Sequence, residues 1–394
     1  MGDSQTSGIG SRQIALGHLS ISDSGKQYVN DCLANNRLSY GKYTANFEKQ
    51  FASLHGSRHG IFCNSGTSAL QIALATMKEL YHYQDGDEII VPALTFIATS
   101  NVVIQNNLKP IFVDVNKDTF NIDPEKIEEK ITPRTRAIIP VHLFGLPCDM
   151  PRIMEIARRR KLQVIEDSCE TMFAGIDGQR VGSFGDAACF STYVAHLIVG
   201  GVGGIVTTED VKIADLCRSF LQHGRDNIYL SIDDDDLVND DVINRRYSFA
   251  RVGYSYRATE IEAAIALSEL ERWKENIGQR RKNAVYLISL LKDLSIQLPI
   301  TPVGYEHSFM MFPLVYDGNR ARVLRYLESR GIETRYLFPL LSQPVYRRLF
   351  PGLEEDYPVA KKLSKQGFFV GMHQGLTSED IEYIAQEIKC AIRS

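Results

Sequence analysis

Apolar positions along this chain change period several times, and each change marks an element. Residues 22–55 read as helices, and a short β-type run at 58–63 enters the turn Asn64-Ser65-Gly66-Thr67. Helical spacing of apolar residues returns at 70–77. Strand-like runs follow at 88–92, 109–114, 137–141 and 162–167, with helical patterns such as 96–105 and 150–161 between them. Strands alternating with helices at this spacing predict an α/β fold with a mostly parallel sheet covered on both faces. The acidic run Asp233-Asp-Asp-Asp236 breaks the pattern and reads as a surface loop. Residues 259–275 predict a strong amphipathic helix. Beyond residue 278 the order becomes helix, strand (309–315), helix (320–330), a long connection and a final helix (378–392), which reads as a small α+β domain. The expected organisation is an N-terminal arm at 1–20, a large domain at 21–277 and a small C-terminal domain at 278–394.

Composition narrows the function classes. The 394 residues leave room for two domains, and 44% hydrophobic with 23% charged residues is ordinary for a soluble protein. A net charge of −4 with mixed signs supplies no basic field for nucleic acid or an anionic membrane. No apolar run reaches the length of a membrane span. Residues 1–8 lack a charged n-region and an apolar h-region, so no secretory signal is expected. Seven scattered cysteines form no C-x-x-C and no metal-ligand cluster, which points to reduced thiols in a cytoplasmic enzyme.

Several stretches carry candidate chemistry. In Asn64-Ser-Gly-Thr-Ser-Ala69 a strand turns into a helix, and small residues there let backbone N–H groups and the helix N-terminus meet an anion. Taken alone, the same turn reads better as an N-capped connection that binds nothing. Asp167 ends a buried-looking strand, where its carboxylate could hold a protonated ring nitrogen or cap the next helix. Phe96 by itself reads as a core side chain, and His142 as a structural histidine at a strand end.

The segment Cys189-Phe-Ser-Thr-Tyr-Val-Ala-His196-Leu-Ile-Val-Gly-Gly-Val-Gly-Gly204 changes these readings. It resembles the cofactor-anchoring segment of the DegT/StrS sugar-aminotransferase family, pyridoxal-phosphate (PLP) enzymes of fold type I built like aspartate aminotransferase. In that family a serine, here Ser191, is followed five residues later by the lysine that anchors the cofactor covalently. Here His196 stands in its place. An imidazole has no primary amine, yet it exchanges protons near neutral pH. The resemblance thus points to the histidine branch of the family, the keto-deoxysugar 3-dehydratases.

What the resemblance implies can be stated residue by residue. Gly66, Thr67 and Ser68 with Ser191 would bind the cofactor phosphate, Asp167 the pyridine nitrogen, and Phe96 would stack on the ring. Glu170 stands where many aminotransferases place glutamine at the cofactor O3′. Gly253-Tyr-Ser-Tyr-Arg-Ala-Thr259 is similar to the Gly-Tyr-Asn-x-Arg-x-Thr segment whose asparagine reaches the neighbouring subunit's cofactor. Ser255 fills that slot, so a homodimer is implied and the cross-subunit contact is altered. Leu197 replaces a second histidine common in dehydratases, and Val202 replaces a glutamate. Relatives that couple dehydration to reduction need an iron–sulfur cysteine cluster that this chain lacks, so the implied reaction is redox-neutral.

The expected function is 3-dehydration of a nucleotide-linked keto-deoxysugar. His196 would be the base and L-glutamate would convert the cofactor to pyridoxamine phosphate (PMP). Deoxysugars of this kind serve lipopolysaccharide O-antigen. Three other readings stay open: a sugar-nucleotide aminotransferase using glutamate, a non-catalytic cofactor or sugar-nucleotide binder, and a lysine-to-histidine substitution in an otherwise standard enzyme.

Overall fold

The computed structural model describes residues 12–226 and 247–393, so the acidic run 233–236 and residues 1–8 lie outside the described residues. Nine strands occupy the first two thirds of the chain: β1 (His59–Cys63), β2 (Glu88–Pro92), β3 (Lys109–Val113), β4 (Thr135–Ile138), β5 (Gln163–Asp167), β6 (Gly175–Ile176), β7 (Gln179–Arg180), β8 (Ala187–Ser191) and β9 (Gly204–Thr208). Seven of them form one sheet in the order β1-β9-β8-β5-β4-β2-β3. Only β9 runs against the rest, pairing antiparallel with both β1 and β8. The expected mostly parallel α/β sheet is therefore present.

Alternation along β2 shows why both faces are covered. Ile89 and Val91 enter a core with Leu70 and Ala73 of the helix Gly66–Leu80. Ile90 points the other way, to Ile153 and Ile156 of the helix Met150–Arg160. Side chains alternate across a strand, so a strand buried on both faces needs apolar residues at every position.

Two expectations change in detail. The strand expected at 137–141 begins earlier and stops at Ile138, because Pro140 has no N–H to continue the ladder. The single helix expected at 259–275 is two, Glu260–Leu270 and Trp273–Leu291, separated at Arg272. The first is buried nearly all round, not amphipathic. It packs against the helices Asp23–Ala34 and Lys42–Leu54, and its Glu260 caps the second. The helix Lys42–Leu54 has Gly41 at its N-cap and no side-chain cap of its own. Glu260 Oε1 and Oε2 instead accept from Tyr43 N–H at 2.8 Å and Thr44 N–H at 2.9 Å.

A second sheet gathers β11 (Met311–Val315), β12 (Thr334–Tyr336) and β13 (Gly367–Gly371) in the antiparallel order β11-β13-β12, while β10 (Tyr305–Glu306) joins the β6–β7 hairpin. Helices Arg320–Ser329 and Ser378–Arg393 cover this second sheet around a core that includes Phe312, Leu327, Val370 and Ile384. Ile14, from the N-terminal arm, is buried in the same core.

Candidate active site

The parallel strands end on one side of the large sheet, and their C-terminal ends open into a cavity of about 400 Å³. Such ends are where open α/β sheets bind ligands, because loops and helix N-termini converge there. Gly66, Thr67, Phe96, Asp167, Glu170, Ser191 and His196 all line it. Seven positions spread over 131 residues of sequence are thus brought together by the sheet order alone.

The turn after β1 is built for close approach. Ser65 caps the helix Gly66–Leu80 by accepting from Ser68 N–H at 3.0 Å. A Cβ on Gly66 would stand 2.7 Å from Ser191 Cβ and 2.8 Å from Cys169 Sγ, so only glycine lets the helix N-terminus meet the ends of β5 and β8. Thr67 is exposed toward the cavity, while Ser68 lies behind the turn. The Ser68 hydroxyl is engaged by Ser65 Oγ at 2.9 Å and donates to Asn64 Oδ1 at 2.7 Å. Of the three turn residues expected at a phosphate, Gly66 and Thr67 face the cavity and Ser68 supports them from behind.

Asp167 closes the cavity floor at the end of β5, 3% exposed. Thr99 Oγ1 donates to its Oδ2 at 2.7 Å and Cys169 N–H to its Oδ1 at 3.2 Å, which fixes the carboxylate plane. Burial pushes its pKa up, and these donors act against that. Burial raises Glu170 further, to about 8, against the opposing hydrogen bond from Phe144 N–H at 3.0 Å. Its carboxyl is therefore mostly protonated at neutral pH. Phe96, at the N-cap of the helix Ile97–Gln105, is 56% exposed, with its ring edge-on to Phe338 at 6.2 Å.

His196 sits in the loop between β8 and β9. Gly203 closes that loop at φ +134°, where a Cβ would strike Thr192 Oγ1 at 2.4 Å. The next three residues, Leu197, Ile198 and Val199, are buried and anchor it. Burial of the ring pulls its pKa down to about 4, so the imidazole is neutral at pH 7. Its Nδ1 makes no hydrogen bond. His142 is the contrast. Its Nδ1 accepts from Cys148 N–H at 2.9 Å, which leaves the proton on Nε2 for Glu166 at 3.1 Å. Both of its nitrogens are engaged and it serves the structure, as expected.

Ser255 does not reach this cavity. It is exposed and accepts from Arg257 Nη2 at 3.1 Å. Other residues line the cavity without having been singled out for a role: Thr99 behind Asp167, Tyr193 beside His196 at 6.0 Å between rings, and Met310 and Met311, which form an apolar wall with Phe338 and Phe369 from the segments 333–338 and 368–371 that resemble those of the dehydratase branch. Leu16 of the arm completes that wall. No lysine lines the cavity among the described residues.

An anion-ready helix N-terminus, a buried carboxylate opposite, an aromatic face and an imidazole unbonded at Nδ1 together fit a phosphorylated, protonated aromatic ring. Comparison with known proteins agrees. Residues 20–389 match the DegT/DnrJ/EryC1/StrS aminotransferase family. The chain is 37% identical to GDP-perosamine synthase of Caulobacter vibrioides, over 91% of this chain and 93% of that one. It is 31% identical to dTDP-4-dehydro-2,6-dideoxy-D-glucose 3-dehydratase of Saccharopolyspora spinosa, over 89% and 80%. In structure it is similar to Escherichia coli GDP-4-keto-6-deoxy-D-mannose-3-dehydratase with bound hydrated PLP, with a TM-score of 0.86, 28% identity, and 96% and 100% of the two chains covered. This chain belongs to the DegT/DnrJ/EryC1/StrS aminotransferase family and is an α/β enzyme of fold type I.

Proposed function

We propose that this PLP/PMP enzyme removes the C3 hydroxyl of a nucleotide-linked 4-keto-6-deoxyhexose, with L-glutamate as the amine source. One observation carries the reading. His196, neutral and with its Nδ1 unbonded, lines the cavity and holds the sequence position that the resemblance gives to the family's anchoring lysine.

Bound in the cavity, the cofactor supplies an electron sink and, in its pyridoxamine form, a primary amine for the substrate ketone. The helix N-terminus at Gly66 and Thr67, together with Ser191, holds the phosphate. Asp167, aligned by Thr99, accepts the pyridinium N–H. That positive charge offsets the burial which raises its carboxyl in the free chain. Phe96 covers one face of the ring. Glu170, protonated below about pH 8, donates its O–H to O3′ as a glutamine amide would. Neutral His196 would be the group that takes a proton at C4′ and passes it to the C3 oxygen, which would leave as water. With no lysine amine on the cavity wall, nothing in this chain competes to displace the substrate before elimination.

An aminotransferase is the second reading, supported by the likeness to GDP-perosamine synthase, with His196 moving only a proton. A non-catalytic binder is weaker, because the full set around Asp167 is retained. The working unit we infer is a cytoplasmic homodimer. Apolar residues crowd the cavity rim (Phe96 56%, Tyr193 51% and Val202 47% exposed), and Ser255 faces away from its own cavity. All seven thiols are free, which suits a reducing compartment. No helix among the described residues is long and apolar enough to cross a membrane.

Incubation with glutamate and a panel of 4-keto-6-deoxyhexose nucleotides, followed by product mass, separates the readings: loss of hydroxyl, gain of nitrogen, or no change. His196→Asn should retain cofactor and lose turnover by about 10²–10⁴-fold, the usual cost of removing a general base. Wild-type product from that variant would overturn the mechanism. His196→Lys should shift the cofactor absorbance and favour amination.

A further inference from the structure

No hydrogen bond at Nδ1 aims the His196 ring, so the backbone of its own loop, which carries the ring, bears directly on its direction. Two groups clamp that backbone. Arg280, on the helix Trp273–Leu291, is 1% exposed, and its Nη2 donates to the His196 carbonyl at 3.4 Å. Nη1 donates to the carbonyls of Met372 at 2.7 Å, Met310 at 3.0 Å and Phe309 at 3.5 Å, and Nε to Gln374 Oε1 at 3.2 Å. Every acceptor is neutral. A cation buried among neutral acceptors carries a desolvation cost that an apolar side chain of similar volume would avoid. What the apolar side chain could not do is join five acceptors from three separate segments in one plane.

On another side of the loop lies Gly17 of the N-terminal arm. A Cβ there would stand 2.8 Å from Ala195 Cα and 3.0 Å from the Val194 carbonyl oxygen. The arm is itself pinned beside the second sheet. Ile14 N–H donates to Gly331 O at 2.8 Å, Glu333 N–H to Ile14 O at 2.9 Å, and Leu16 N–H to Glu333 Oε2 at 3.0 Å. Arg280 reaches the same sheet through Met310, one residue before β11, and Met372, one residue after β13. Both clamps therefore hold the His196 loop against one rigid body.

We propose that Arg280 is a positioning residue for His196 and that, with the arm at Gly17, it ties the placement of the imidazole to the β11-β13-β12 sheet. The inference rests on His196 being the base. It gives the buried arginine a function in catalysis without contact to substrate or cofactor.

Three variants test it, with His196→Asn as the reference. Arg280→Lys keeps the charge but loses the planar fork. Arg280→Met removes both. Gly17→Ala presses on the loop from the arm and leaves the buried network intact. Each should lower kcat by about 10²-fold, the size of effect that a displacement near 1 Å produces. KM and cofactor Kd should stay within a few-fold of wild type. A second readout needs no cofactor: NMR titration of the His196 ring in the free protein. The wild-type ring should titrate near 4, and Arg280→Lys and Gly17→Ala, which both keep a cation at position 280, should move toward the ordinary value of about 6.5 as the loosened ring gains water. Arg280→Met also removes a charge that itself lowers the ring, so its titration does not count toward the test. If Arg280→Met does not fold, the lysine and Gly17 variants carry the test. Wild-type kcat with an unchanged titration in Arg280→Lys and Gly17→Ala overturns the proposal. If His196→Asn turns over normally, the base assignment fails. The ring titration still decides separately whether Arg280 and Gly17 fix the loop.

Discussion

Asp167 and Glu170 are three residues apart and both raised by burial, yet their surroundings give them opposite roles. Two donors aim at Asp167 and favour its anion, whereas Glu170 has one and reaches about 8. The sign for catalysis follows from that shift. Neutral Glu170 dominates below pH 8 and is lost above it, so a step that needs its O–H should decline on the alkaline side. Glu170→Gln keeps a donor at every pH and should abolish that alkaline limb while leaving neutral-pH turnover within about tenfold. A pH–rate profile decides, and an identical limb in the variant would show that Glu170 donates nothing. The same shift acts on folding. The folded pKa lies above the ordinary 4.5, so stability is lost as pH rises from there through about 8. Melting curves of Glu170→Gln across that window should be correspondingly flatter. Sequence reading found both carboxyls through the family resemblance. It missed Thr99, because a threonine aimed at Asp167 across 68 positions leaves no local pattern.

At the scale of elements, the turn into the helix Gly66–Leu80 is the part most exposed to a single-atom change. In Gly66→Ala the new methyl meets Ser191 Cβ and Cys169 Sγ, both within 3 Å, and neither can swing away as a long side chain could. Overpacking of this kind costs about 1–3 kcal/mol. Because Ser191 and the turn itself are expected at the phosphate, cofactor Kd should rise at least tenfold, as read by absorbance titration. An unchanged Kd would mean that the phosphate is held elsewhere. The strand-to-helix turn was legible because its small residues and capping serine are local signals. The division of 259–275 into two helices was not. Both halves have helical periodicity, and the break at Arg272 coincides with a long-range contact, its guanidinium reaching Ser20 O at 2.9 Å while it also pairs with Glu269 three residues back.

For the whole molecule, the expectation is a dimer that shares its active sites. Sedimentation should give about twice the 44.3 kDa chain mass. A monomer that still binds cofactor at full strength would remove Ser255 and the exposed rim from the functional picture. Dissociating variants at Val202 or Tyr193 should lose turnover together with dimerisation, because both side chains lie on the cavity rim.

The sequence by itself determined the alternation of strands and helices, the anion-ready turn, the acid at a strand end and the histidine in place of lysine. The first three rest on periodicity or on a short run of neighbours, which local hydrogen bonding and side-chain alternation translate directly into structure, and the last on the family resemblance of the segment 189–204. Only the tertiary structure decided that Ser68 turns behind the phosphate turn, that Glu170 is neutral, and that His196 lacks a partner at Nδ1. It also assigned the opposite wall to Met310, Phe338, Phe369 and Leu16. Burial, protonation and long-range contact depend on what the folded chain places nearby in space, and no spacing along the sequence encodes those distances.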